Sequence, residues 1–253
     1  LNPSSAASDV YKRQTLYILF MLLSSIPLFL GSLIIWLLTV AFDKNRVLLH
    51  YFTCFWGYLY IWIMPTWKLT VKGKEHFRKG KTYVIVSNHQ SQLDILVSFG
   101  LFKPFKWVSK IEVFKVPLIG WNMTLNNYVK LRRGNRESIV KMMQDCSSHL
   151  KNGSSIFLFP EGTRSPTGQV KAFKPGAFTL ALKEKVGILP IVINGSKDVL
   201  PKHSLALKGS HQISVEVLPE IPYEEIKSYS AEELAKQVES IIAQQVINHS
   251  SAE

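Results

Sequence analysis

Tyr83-Val84-Ile85-Val86-Ser87-Asn88-His89-Gln90-Ser91-Gln92-Leu93-Asp94 reads as a strand that hands over to a loop and then to a helix. Its first four residues form a continuous apolar run suited to a buried strand, and Ser87 onward is polar. Gln92 to Phe99 follows as a short helix, with Ser91 placed to cap it and Asp94 in its first turn. The same alternation continues outward from this stretch. Lys68–Lys72, Lys106–Val108, Tyr128–Leu131, Ile156–Phe159, Leu189–Ile193 and Ile213–Val217 are the other strand candidates. Between them, Ile139, Met143, Cys146 and Leu150 recur at helical spacing over Glu137–Leu150, and Pro175-Gly176 precedes a helix over Ala177–Glu184. Ser230 and Glu233 make a capping box ahead of Leu234, Val238, Ile241, Ile242 and Val246. The expected fold is one α/β domain over residues 65–253, with a mixed, largely parallel sheet of about seven strands flanked by helices.

Ahead of that domain the texture differs. Leu16 to Phe42 is 27 residues without a charge, and a bilayer span needs about 20 apolar residues. Pro27 sits near its middle and could kink it. After the polar turn Asp43-Lys44-Asn45-Arg46, Val47 to Met64 is a second apolar run, rich in the aromatic rings that favour the headgroup region. Residues 15–64 are therefore expected to form an N-terminal two-helix membrane anchor, a hairpin that spans the bilayer or dips into one leaflet. The bland alternative is a helical pair packed on the domain. Residues 1–14 are polar and resemble translated adapter sequence, so they are set apart as a non-native leader.

Composition points the same way. A net charge of +12 implies acidic company, either anionic lipid or nucleic acid, and a hydrophobic fraction of 47% favours lipid. No aromatic-basic signature of a nucleic-acid module is present, and no nucleic-acid partner is expected. Cys54 and Cys146 lie in apolar contexts without a C-x-x-C partner and read as buried free thiols.

Two stretches carry chemistry. His89 and Asp94 pair a side chain that takes a proton near neutral pH with a carboxylate that can orient its ring. Positions five apart on one helix point about 140° from each other, so His89 must lie in the loop before the helix for Asp94 to reach it. Ligands gather at the carboxyl ends of strands in open α/β sheets, which is where His89 falls. Phe159-Pro160-Glu161-Gly162-Thr163-Arg164-Ser165 follows the strand candidate Ile156–Phe159 and sits at a strand end too. There Arg164 can fork onto a phosphate, with Gly162 and Thr163 offering an amide and a hydroxyl. Glu161 is harder to place, because a carboxylate repels phosphate; it would orient Arg164 or contact a substrate hydroxyl. His76, His89, Glu112 and Asp94 lack the spacing of a zinc site, and no G-x-S-x-G nucleophile elbow occurs.

These residues resemble the glycerolipid acyltransferases. Asn88 to Asp94 is similar to that family's N-H-x-S-x-x-D motif, and Phe159 to Ser165 matches F-P-E-G-T-R-S throughout. Lys110-Ile111-Glu112-Val113-Phe114-Lys115-Val116-Pro117-Leu118-Ile119-Gly120 resembles K-x-E-L-x-x-x-P-x-x-G. Arg133-Gly134-Asn135-Arg136, Phe173-Lys174-Pro175-Gly176-Ala177 and Leu189-Pro190-Ile191-Val192 resemble further blocks, all in family order between Trp67 and Ser196. Two departures are Val113, in place of a leucine, and Arg132, where the family usually has an acidic residue before the arginine.

The resemblance implies a membrane-bound enzyme of phospholipid biosynthesis. It would move a fatty acyl group from acyl-CoA or acyl-ACP to the sn-2 hydroxyl of lysophosphatidic acid, giving phosphatidic acid, with no cofactor and no metal. His89 would be the general base and Asp94 its orienter. Glu161, Gly162, Arg164 and Arg133 would hold the glycerol phosphate, with Thr163 a further substrate-binding residue and Lys110 and Lys174 as weaker candidates. The implied partners are lysophosphatidic acid, an acyl thioester, the bilayer and, for an ACP donor, acyl carrier protein. The domain would face the cytoplasm. Glycerol 3-phosphate or another lysolipid is the alternative acceptor, and a non-catalytic basic lipid-binding membrane protein is the alternative class.

Overall fold

The strands of the computed structural model, which describes residues 3–199 and 210–247, are β1 (Trp67–Lys72), β2 (Tyr83–Ser87), β3 (Lys106–Lys110), β4 (Val129–Leu131), β5 (Ile156–Leu158), β6 (Gly187–Asn194) and β7 (His211–Val217). They form one sheet in the order β1-β7-β6-β2-β5-β3-β4, parallel throughout except where β6 meets β7. β2 lies near the middle, with Val86 in register with Leu158 of β5 on one side and Pro190 of β6 on the other. Each strand candidate read from the sequence lies on one of these strands, give or take a residue or two.

The helices are α1 (Pro3–Thr39), α2 (Val47–Trp62), α3 (Leu93–Phe99), α4 (Ile119–Leu125), α5 (Arg136–Lys151), α6 (Gly176–Glu184), α7 (Ser196–Val199), α8 (Tyr223–Ile226) and α9 (Ala231–Gln245). They cover both faces of the sheet. Ile85, Phe157, Ile191 and Trp107 pack with Cys54 and Ile61 of α2 and Leu93 and Val97 of α3. On the opposite face Val84, Val86, Ile156 and Ile188 pack with Met142 and Cys146 of α5, Phe178 of α6 and Leu234 and Val238 of α9. Neighbouring residues of β2 therefore serve opposite cores, which is why the strand is apolar without alternation. The capping box at Ser230 and Glu233 forms, and Cys54 and Cys146 are buried free thiols. Of the stripe expected on α5, Cys146 and Leu150 are buried and Ile139 is exposed; Met142 is buried in addition.

Of the expected pair of membrane helices, one is long and apolar enough among the described residues to cross a bilayer. Gln14–Thr39, within α1, is 26 residues of apolar helix with most of its large side chains exposed, long enough to cross a bilayer. α2 is only 16 residues, shorter than a span, and one of its faces belongs to the domain core. Leu49, Thr53, Trp56, Tyr60 and Ile61 are buried along one stripe, and the carboxylate of Asp43 accepts the Val47 and Leu48 amides to start the helix. Of the aromatic residues of α2, Trp56 and Tyr60 are buried, whereas Tyr51, Phe55 and Trp62 are exposed. α1 runs without a break through position 14, so no change of structure marks the end of the expected leader; Leu1 and Asn2 lie outside the described residues. Tyr60 joins the two helices: its hydroxyl lies 2.9 Å from Ser25 Oγ and receives the Trp56 Nε1–H at 2.8 Å.

Candidate active site

The loop between β2 and α3 leaves the sheet at Asn88. The side chain of this residue substitutes for a strand residue: Nδ2 donates to the Ile193 carbonyl and Oδ1 accepts the Ile193 amide, both at 2.8 Å. The β2–β6 ladder is satisfied one residue past the strand, and the chain is free to turn at His89. Asp94, fully buried in the first turn of α3, faces back into this loop. Its Oδ2 accepts His89 Nδ1–H at 2.8 Å, the Gln90 amide at 2.7 Å and the Ser91 amide at 2.8 Å. Its Oδ1 accepts the hydroxyl of buried Ser196, at the start of α7. His89 is off the helix, as the spacing requires.

A carboxylate at Nδ1 leaves the lone pair of neutral His89 on Nε2. The imidazole stacks on Phe159, the first residue beyond β5, with ring centroids 4.1 Å apart and planes 13° from parallel. Phe159 in turn stacks on Trp107 at 5.4 Å. The ring of His89 is thus held at its edge by Asp94 and across its face by Phe159. Ser196 and Phe159 were not singled out from the sequence as site residues. Phe159 stands inside a quoted motif, but the position of Ser196 beside Asp94 depends on β6 lying next to β2.

Glu161 is not among the residues that line the cavity beside His89. It is 3% exposed, and its oxygens accept the His89 amide at 2.7 Å and the Lys171 amide at 3.3 Å. The carboxylate therefore ties the histidine loop to the loop after β5, which the Ser165 amide reinforces by donating to the His89 carbonyl at 2.7 Å. Burial pushes Glu161 up to about 7, against the pull of the two amides. A folded-state value above the ordinary one means that the folded protein retains a proton the unfolded chain releases, so stability falls as pH rises from about 4.5 to about 7. Glu161→Gln cannot ionise. Melting curves across this window are expected to show wild type losing ground to the variant as pH rises; a constant difference would remove Glu161 from the titration.

A cavity of about 560 Å³ opens beside His89. Gly162, Arg164, Arg133 and Lys110 line it together with His89. Thr163, Lys174, Asp94 and Glu161 do not: Asp94 and Glu161 lie behind the loop, and exposed Lys174 covers Gly162, where a Cβ would meet its Nζ at 3.0 Å. Gly162 has φ 72°, a left-handed conformation glycine adopts without strain. Lys110 lies 3.6 Å from Glu112, whereas no ion pair is recorded among the described residues for Arg133 or Arg164. The lining also includes Trp56 and Tyr60 of α2, Ile95, Leu96 and Phe99 of α3, and Ile119 and Met123 of α4. An imidazole, two guanidinium groups without an ion pair among the described residues and several apolar side chains line one chamber.

The family model described as acyltransferase matches residues 68–194. A 1-acyl-sn-glycerol-3-phosphate acyltransferase of Chlamydomonas reinhardtii is 35% identical over 212 residues, covering 83% of this chain and 63% of that protein. The chloroplastic 1-acyl-sn-glycerol-3-phosphate acyltransferase LPAT1 of Arabidopsis thaliana is 36% identical over 207 residues, covering 81% of this chain and 56% of that protein. The chain thus spans under two thirds of either relative's length. The crystal structure of the 1-acyl-sn-glycerophosphate acyltransferase of Thermotoga maritima superposes with a TM-score of 0.74 at 24% identity, over 93% of this chain and 95% of that one. That likeness bears on the fold, a mixed sheet with helices on both faces.

Proposed function

The chain belongs to the acyltransferase family, and from that premise we propose that it is a membrane-bound enzyme that transfers a fatty acyl group from an acyl thioester to the sn-2 hydroxyl of 1-acylglycerol 3-phosphate. The observation that carries this reading is the chamber itself, which is lined by His89, Arg133 and Arg164 together with apolar side chains of α2, α3 and α4. A phosphorylated lipid alcohol and an acyl chain need cations and apolar surface within reach of one base. The two relatives, both 1-acyl-sn-glycerol-3-phosphate acyltransferases, support the same acceptor. α1 supports placement at a membrane, where such an acceptor resides.

In this mechanism His89 Nε2 takes the proton of the acceptor hydroxyl as its oxygen attacks the thioester carbonyl carbon. Asp94 holds the tautomer and stabilises the imidazolium. Collapse of the tetrahedral adduct breaks the carbon–sulfur bond, and the leaving thiolate takes the proton back from His89. Acyl-CoA and acyl-ACP both fit this chemistry. Positioning two large substrates side by side removes a bimolecular entropy cost, the contribution asked of the chamber walls.

The test is a panel of acyl donors and acceptors with the product identified by mass. Phosphatidic acid is expected from lysophosphatidic acid; acylation of glycerol 3-phosphate alone would move the acceptor assignment. Arg164→Ala in the same assay is expected to raise the acceptor KM by about 10- to 100-fold, the worth of a charge-assisted hydrogen bond, with a smaller change in kcat. An unchanged acceptor KM would take Arg164 out of the phosphate site.

A further inference from the structure

The Lys110–Gly120 block contains a turn that the catalytic reading leaves unused. After β3 the chain makes a short 3-10 turn at Val113–Lys115 and enters α4 at Ile119. Gly120 packs so closely here that an added Cβ would sit 2.3 Å from the Phe114 carbonyl oxygen, and its amide donates to the Val116 carbonyl at 2.7 Å. Pro117, Leu118 at φ 64° and Gly120 thus hold a tight, partly strained loop. What it displays is apolar: Val116 is 43% exposed, Ile119 42% and Trp121 51%.

This exposed patch is continuous with two features already described. The Trp121 ring lies edge-on against Phe29 of α1, with centroids 5.5 Å apart, so its exposed part extends the apolar surface of that helix. Ile119 lines the cavity, whose wall also includes Arg133. Lys115, within the turn, and Arg132, next in sequence to cavity-lining Arg133, are exposed, and neither has an ion pair among the described residues, although exposed Glu112 interacts with the Arg132 charge. Arg132 is the position where the sequence carries a base in place of the family's usual acid. Apolar side chains bordered by cations suit the headgroup layer of an anionic bilayer.

The geometry points to the turn at residues 114–121, together with Lys115 and Arg132, as an interfacial docking element that seats the mouth of the cavity on anionic lipid headgroups. It rests on the membrane-bound reading above. α1 would hold the protein to the membrane, and the turn would fix which way the chamber faces. A lipid acceptor would then enter from the bilayer past Ile119, its phosphate meeting Arg133 at the rim.

Cys54 and Cys146 are fully buried, so a cysteine introduced at Val116 can be labelled selectively with an environment-sensitive dye. Labelled full-length V116C, and L38C on α1 as a control, are mixed with neutral phosphatidylcholine vesicles or with vesicles containing phosphatidylglycerol. Blue-shifted emission from both positions, with Val116 responding more to the anionic vesicles, is expected. A shift at Leu38 with Val116 remaining water-like would overturn the docking element and leave the membrane-bound reading standing. Silence at both positions would overturn both. An equal response at Val116 to neutral and anionic vesicles would remove Lys115 and Arg132 from the contact. As an unlabelled check, V116D is expected to lose about tenfold in rate on vesicle-borne lysophosphatidic acid, the cost of placing a charge in the interface. Its rate on a monomeric short-chain acceptor is expected to be unchanged, which a misfolded variant could not show; equal losses on both acceptors would overturn the proposal.

Discussion

His89→Ala is expected to lower kcat for acyl transfer by about 10²- to 10⁴-fold, the range a positioned general base supplies, with KM for donor and acceptor changed much less. The geometry favours this division. His89 is positioned through Asp94 and Phe159, which hold its ring, whereas the guanidinium groups of Arg133 and Arg164 reach the chamber from the ends of β4 and β5. Truncating the imidazole leaves those cations in place. The fold should tolerate the change, because Asp94 keeps the Gln90 and Ser91 amides and the Ser196 hydroxyl as donors. Single-turnover measurement at saturating acceptor, with product followed by mass, separates the chemical step from binding. A variant that retains full kcat would sink the assignment of His89 as base. A variant that loses mainly acceptor affinity would make it a binding residue.

What could be read from the sequence, and what could not, follows from how local each signal is. β2 and β6 announce themselves because burial on both faces leaves uninterrupted apolar runs, and the capping box of α9 is a local pattern. The placement of His89 off the helix follows from helical periodicity alone. Glu161 shows the limit. Its charge could be weighed against a phosphate, but the two amides it holds come from positions 89 and 171, brought to it by the pairing of β5 with β2 and by the loop that follows. Ser196 is hidden for the same reason. α2 misleads in another way: its buried stripe lies among exposed aromatic residues such as Tyr51, Phe55 and Trp62, so composition reads as membrane while periodicity reads as core. Four of its residues, Thr53, Trp56, Gly57 and Tyr60, line the chamber, so separating α2 from the domain also hid one wall of the site.

Asp94→Asn is expected to cost about 10²- to 10⁴-fold in kcat, no more than His89→Ala, while leaving the protein folded, because it removes the charge and keeps most of the hydrogen bonding. An asparagine oxygen in the place of Oδ2 still accepts from Gln90, Ser91 and His89. Its amino group then faces Ser196, whose hydroxyl can turn from donor to acceptor. What disappears is the anion beside His89, which in the proposed mechanism stabilises the imidazolium formed as the acceptor oxygen attacks. Asp94→Ala is a different experiment. It strips the acceptor from two backbone amides, the imidazole and a buried hydroxyl, and each unpaired buried donor costs about 1–3 kcal/mol, so loss of activity there would mix chemistry with unfolding. Melting temperature and kcat measured together on both variants resolve the two roles. Near-normal melting with low kcat for D94N, and lowered melting for D94A, is the expected pattern. If D94N kept most of its activity, Asp94 would serve only to shape the loop, and the charge behind His89 would have no part in the reaction.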